Sequence, residues 1–152
     1  MKTPSFTWHM TDLGKGREPL KEHLLAILTE EACLLRAMRG VLDEEARALV
    51  RSPADEIIKT GKKKENILLA LKKAAQARNR LTAAEHQGML ESRLKALGLK
   101  SRWGILVQEV RTLKQRNHVN GRILRKRLDF VENALATLQQ AACPTYGERG
   151  RI

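Results

Sequence analysis

The residues of this chain that could do chemistry are few. Four histidines, His9, His23, His86 and His118, and two cysteines, Cys33 and Cys143, are the candidate metal ligands and nucleophiles. No histidine pairs with Cys, Asp or Glu at metal-ligand spacing within one motif, and neither cysteine belongs to a CxxC pair. The cysteines stand far apart; a disulfide is open to them, but reduced thiols in a cytoplasmic chain are the expectation. There is no glycine-rich phosphate loop, no nucleophile elbow and no carboxylate pair in a catalytic setting. The sequence therefore predicts a protein that is not an enzyme, with no metal and no cofactor.

A second set of polar residues is more informative. Glu31, Glu45, Lys64, Arg78, Asn117 and Asn120 fall in the registers of otherwise apolar helical patterns. A buried charge without a partner costs several kcal/mol, so such residues must be paired or must reach water. The pattern predicts a structural polar layer, chiefly Glu31, Lys64, Asn117 and Asn120: carboxylate from a first helix, cation from a second, amides from a third. Its task would be to fix register and helix order. The alternative, equally open for the charged residues, is that they sit at the edge of the stripe. Asn117 and Asn120 lie together in mid-seam, which favours the specifying role.

Three long helical patterns position these residues. Pro19 to Arg51 carries Leu24, Ile27, Leu35, Met38, Leu42 and Leu49 in a heptad register, widened by Leu20, Leu28 and Leu34. Ser52 and Pro53 predict a cap and a first helical residue for the next segment, with Asp55 and Glu56 at its positive start. That segment runs from Ala54 to about Leu81 through Ile57, Gly61, Lys64, Leu68, Leu71, Ala75 and Arg78. So short a connection demands antiparallel neighbours. Thr82-Ala-Ala-Glu85 has the form of a capping box. It opens a stretch to Gly98 that is either a short separate helix or an overhang of the second. Ser101 is a good N-cap for the last helix and Pro144 its stop. The expected fold is all-α: an elongated, coiled-coil-like antiparallel bundle of three long helices with a short extra helix between the second and third. Residues 1–18 read as a flexible lead-in, 19–143 as the bundle, and 144–152 as a flexible tail.

Composition agrees. Aromatics make up only 3% of the 152 residues, so Leu, Ile, Val and Ala must build the core. No apolar run approaches the roughly 18 residues of a membrane span, and the N-terminal stretch has no apolar core of a secretory signal. Net charge is +12, which admits an acidic protein, a nucleic acid or an anionic surface as partner. From Arg93 to Arg127 eleven Lys or Arg face a single Glu109. No aromatics interleave them for base stacking. A solvated basic face is favoured over nucleic-acid binding, with an acidic protein partner in between.

The end of the last helix has more apolar surface than one seam needs. Leu124, Leu128, Val131, Leu135 and Leu138 make one stripe; Ile123, Phe130, Ala134, Thr137 and Ala141 make a second on a neighbouring face. A 42-residue helix extends roughly 63 Å and outruns its neighbours. The excess, about residues 122–142, would be offered to a client helix. The plainer alternative is a widened core stripe.

These features resemble the FlgN-type flagellar export chaperones. Asn117-His118-Val119-Asn120-Gly121 lies within a long third helix, and Tyr146-Gly147-Glu148-Arg149-Gly150 follows it. The family carries an Asn-x-x-Asn-Gly element and a Tyr-Gly-x-x-Gly element in that order. The resemblance implies a cytoplasmic chaperone of type III export that binds hook-associated filament-junction proteins, prevents premature assembly and delivers them to the flagellar export gate and ATPase complex. It maps client binding to Ile123, Leu124, Leu128, Phe130, Val131, Leu135 and Leu138, and export-gate docking to Tyr146. A homodimer is compatible with it; membrane insertion is not expected. The alternatives are a basic helical nucleic-acid-binding or regulatory protein and a coiled-coil adaptor.

Overall fold

The computed structural model describes residues 17–142. Four helices span them: α1 Arg17–Arg51, α2 Ala54–Thr82, α3 Gln87–Ala96 and α4 Lys100–Ala142. No strand occurs among the described residues. The lead-in ahead of Arg17, Cys143 and the tail with Tyr146 lie outside them. Helix starts at Arg17, so Arg17 and Glu18, expected in the lead-in, belong to the first turn of α1.

α1 is the spine. Its buried residues Leu24, Leu28, Glu31, Leu35, Met38, Leu42, Glu45 and Leu49 alternate in steps of four and three without interruption. That is the heptad spacing that keeps one seam facing a neighbour. The phase differs slightly from the expected one: Leu28 sits in the seam, and Ile27 is only half-buried beside it. The core joins these leucines to Leu90 and Leu94 of α3 and Leu99, Leu106 and Leu113 of α4.

Both α2 and α4 pack along α1, but they do not pack on each other. The expected three-helix bundle is therefore open along one side. α3 contacts both α2 and α4 where the chain crosses over. On α2, Ile67 and Leu71 pack against the core, while Leu68 stays 54% exposed.

The junctions explain the order. Ser52 N–H bonds the Ala48 carbonyl at 2.9 Å and completes α1; Pro53, not Ser52, is the N-cap of α2, with φ −67° and ψ 166° and no side-chain bond. Asp55 and Glu56 do occupy the first turn of α2. The expected capping box is absent. Thr82 is the last residue of α2, and its hydroxyl donates backwards to the Arg78 carbonyl at 2.9 Å. A hydroxyl used this way cannot cap forwards. Ala83 takes the left-handed conformation, φ 49°, that ends α2. α3 is thus a separate helix, capped by His86, whose Nδ1 accepts from Met89 N–H at 3.2 Å. Gly98, at φ 73°, closes it, where only glycine adopts the turn without strain. α4 begins at Lys100, which leaves Ser101 inside the helix, and it is helical to Ala142; Pro144, the expected stop, lies outside the described residues.

Arginines cap two helix ends. Arg93 donates to the Thr82 carbonyl at the end of α2. Arg127 donates through Nη1 to the carbonyls of Ala48 at 3.3 Å and Leu49 at 3.1 Å, and through Nη2 to Ser52 at 2.8 Å. These carbonyls lie at the α1 terminus, where Leu49 and Ser52 gain a partner, Ala48 already accepts from Ser52 N–H, and the helix dipole also favours a cation. Replacing Arg127 with Ala should lower unfolding free energy by about 1.5–3 kcal/mol, since it removes charged hydrogen bonds. Arg127→Lys should recover only part of this, because an ammonium cannot reproduce the fork. Urea unfolding of both variants checks it; an Ala variant as stable as wild type would contradict the cap.

Candidate functional site

The polar residues form two stations about 21 Å apart along α1, fourteen residues from Glu31 to Glu45. The station at Glu45 joins three helices. Lys64 Nζ of α2 donates to Glu45 Oε1 at 2.8 Å and to Asn117 Oδ1 of α4 at 3.0 Å. Asn120 Nδ2 donates to Glu45 Oε2 at 2.9 Å and to the Leu42 carbonyl at 3.0 Å. Both carboxylate oxygens are therefore partnered. Glu45 and Asn120 are buried, Lys64 is half-buried and Asn117 is exposed. The structure thus brings Lys64, Asn117 and Asn120 together around Glu45. Glu31, expected in the same layer, lies elsewhere because three helical turns and more separate the two carboxylates.

The Glu31 station is less complete. Arg78 of α2 donates to Glu31 Oε1, and its guanidinium carbon lies 4.6 Å from the centre of the Trp103 ring on α4. Glu31 Oε2, Arg78 Nε and Trp103 Nε1 are buried and have no hydrogen-bond partner among the described residues. Burial pushes the Glu31 carboxyl above its ordinary value of 4.5; Arg78 opposes that shift without cancelling it.

Outside the seam, Arg39 pairs with Glu109 and Arg116 with Asp43, tying α4 to α1, while Lys63 and Glu44 tie α2 to α1. The Lys63 ammonium holds the exposed Glu44 carboxyl below its ordinary range. Such exposed pairs add little stability.

Between the two stations the outer helices leave an open groove of about 790 Å³. Leu35, Met38 and Leu42 of α1 form its floor, Leu68, Leu71 and Ala75 of α2 one wall, and Val107 and Val110 of α4 the other. Periodicity did not reveal it, because apolar spacing identifies faces and not which faces meet.

Beyond Arg127 the surroundings of α4 change. α1 and the start of α2 end at its level, and every residue from Leu128 to Ala141 is exposed. Leu128, Val131, Leu135 and Leu138 are 51%, 46%, 54% and 65% exposed, and Phe130 is 74% exposed. Of the expected client-binding residues, only Ile123 and Leu124 are half-buried. Leu124, Val131 and Leu138 follow Leu113 by eleven, eighteen and twenty-five residues, which puts them within about 20° of it round the helix, so the core face of α4 runs on with no described residue over it. Phe130 lies roughly a third of a turn round.

The basic stretch is only partly a solvated face. Arg93 and Arg127 cap helices, and Arg116 is paired. Among the described residues no cluster of His, Cys, Asp or Glu could hold a metal, and no helix is long and apolar enough to cross a membrane.

The model of the FlgN protein family matches residues 17–152, which takes in all four helices and the tail. The chain belongs to the FlgN family. No curated protein and no solved structure matches it significantly. FlgN-type proteins are flagellar export chaperones rather than enzymes, and a general role in type III protein export and flagellum biogenesis follows from membership. In this member of the family, Asn120 belongs to the buried seam and Gly121 lies where the added space of a Cβ would meet nothing.

Two measurements test the stations. Asn120→Leu strips a donor from buried Glu45 and should cost about 1–3 kcal/mol; an equally stable variant of unchanged oligomeric state would exclude a specifying role. Glu31, with its folded value raised, binds its proton more tightly folded than unfolded. Stability relative to Glu31→Gln should therefore rise as pH falls through the raised value towards 4.5, and be lost as pH increases. Urea titrations of both proteins across that window give the slope, and the opposite slope would mean that the Arg78 pairing prevails.

Proposed function

We propose that this chain is a cytoplasmic chaperone that captures an apolar helix of a hook-associated, filament-junction protein on the exposed end of α4. The observation that carries the proposal is the run of fourteen consecutive exposed residues, 128–141, bearing an uncovered core face. Each Leu or Val of that face that a client covers contributes roughly 1.5–3 kcal/mol of gross apolar burial. Part of that sum is lost to ordering the pair. A client helix laid on the stripe supplies the neighbour that α1 and α2 are too short to provide. Covering the client's own apolar face would keep it from premature assembly.

Delivery to the export gate and ATPase complex is assigned to Tyr146, on the family motif alone. A tyrosine carries a large rigid apolar body with a polar tip, which suits a docking anchor. The Glu45 station serves this design by fixing α4 on the bundle, so that only its end is given to the client.

Leu128→Asp or Val131→Asp should abolish client binding with the helical signal unchanged, as measured by calorimetry and circular dichroism. Wild-type affinity in either variant would sink helix capture. Binding should also change little with salt, whereas a nucleic-acid complex would weaken steeply. Tyr146→Ala should spare client binding and weaken docking to the gate; if both stay at wild-type level, the tail has another task.

A further inference from the structure

The open groove and the exposed arm fit each other. The groove runs along α4 from Trp103 to Asn117 and along α2 from Lys64 to Asn79, about 21 Å of helix on each side. The arm, residues 128–142, is fifteen residues and the same length. Their charges are complementary. Arg111 and Lys114 rim the groove with no carboxylate of the described residues in ion-pair reach. The arm contains Asp129 and Glu132 and no Lys or Arg, in a chain of net charge +12.

The arm cannot fill the groove of its own molecule. Arg127 is pinned to the end of α1, and Asn117 lies ten residues, about 15 Å, behind it. A reversal after Arg127 takes about four residues of turn. The remaining eleven return only to about the mouth of the groove.

We propose that the arm of one copy lies in the groove of a second, giving a homodimer in the absence of client. A two-fold axis near residues 122 and 123 places 128–142 of each α4 opposite 117–103 of the other, so one operation fills both grooves. Gly121 stands beside that axis, on the face that carries Trp103, Val110 and Lys114, with open space where a side chain would be. Asp129 comes within a turn of Lys114, and Glu132 within a turn of both Arg111 and Lys114. Gln139 and Gln140 come within a turn of Trp103, where Glu31 Oε2, Arg78 Nε and Trp103 Nε1 have no partner among the described residues. The dimer masks the surface assigned above to the client, so client and second copy compete. This rests on that assignment only for its consequence; the association itself stands on groove and arm.

Sedimentation of the full chain without client tests it. The wild type should dimerise, and Leu68→Glu, on an exposed groove wall, should weaken the dimer by at least about tenfold while its free arm binds client as before. Val131→Asp should lose both, with helicity retained in each. Glu132→Lys should weaken the dimer, and adding Lys114→Glu should restore it. A chain that stays monomeric, or a dimer indifferent to Leu68→Glu, overturns the proposal. Loss of client binding in Leu68→Glu overturns it too, and would make the groove a client site.

Discussion

The buried carboxylate of Glu45 is the constraint on which the rest of the structure depends. It sits in the central seam of α1, where an unpartnered charge would cost several kcal/mol. Lys64 and Asn120 between them satisfy both its oxygens, and Lys64 also reaches Asn117. Only one register of α2 and one of α4 against α1 meets that demand. A leucine seam alone tolerates a slip of one heptad; this seam does not. The same device explains how α2 and α4 are placed although only side chains, Lys64 with Asn117 and Arg78 with Trp103, meet between them. They are held through α1, through α3 at one end and through the Lys64–Asn117 bond at the other.

α4 therefore does two things along one continuous helix. From Lys100 to Arg127 it is part of the bundle, anchored by Leu106, Leu113, Asn120 and finally the Arg127 cap on α1. From Leu128 it has no neighbour among the described residues. A helix without tertiary contacts is marginal in water, so its apolar face is held in readiness mainly by the rigid segment before it. A chaperone that must bind and release an unassembled client benefits from such a division. The bundle keeps its own stability, and the proposed client interface is confined to a segment outside it.

Much of this was legible in the sequence. Steps of three and four located the helices, Gly98 located a stop, and the breaks at Glu31, Glu45, Asn117 and Asn120 marked residues that the structure places in or beside the seam. The surplus apolar residues after Gly121 marked the exposed end. Other features were not legible for physical reasons. Ile27 and Leu28 are equally apolar neighbours, and only packing decides which enters the seam. Thr82 had two uses for its hydroxyl, and the longer α2 took the backward one. The separation of Glu31 from the other polar residues, and the open side of the bundle, depend on which helices meet. Arg127 looked like one cation among eleven because its role depends on where α1 stops in space.

The account turns on the boundary at Arg127, and amide hydrogen exchange read residue by residue tests it most directly, on dilute chain with and without a client helix. Without client, amides from Leu106 to Asn120 should be protected and those from Leu128 to Ala141 should exchange almost freely; with client, strong protection should appear in 128–141 and little should change in the bundle. Protection of 128–141 without client in the monomer, or a client that protects other residues and leaves these unchanged, would contradict it.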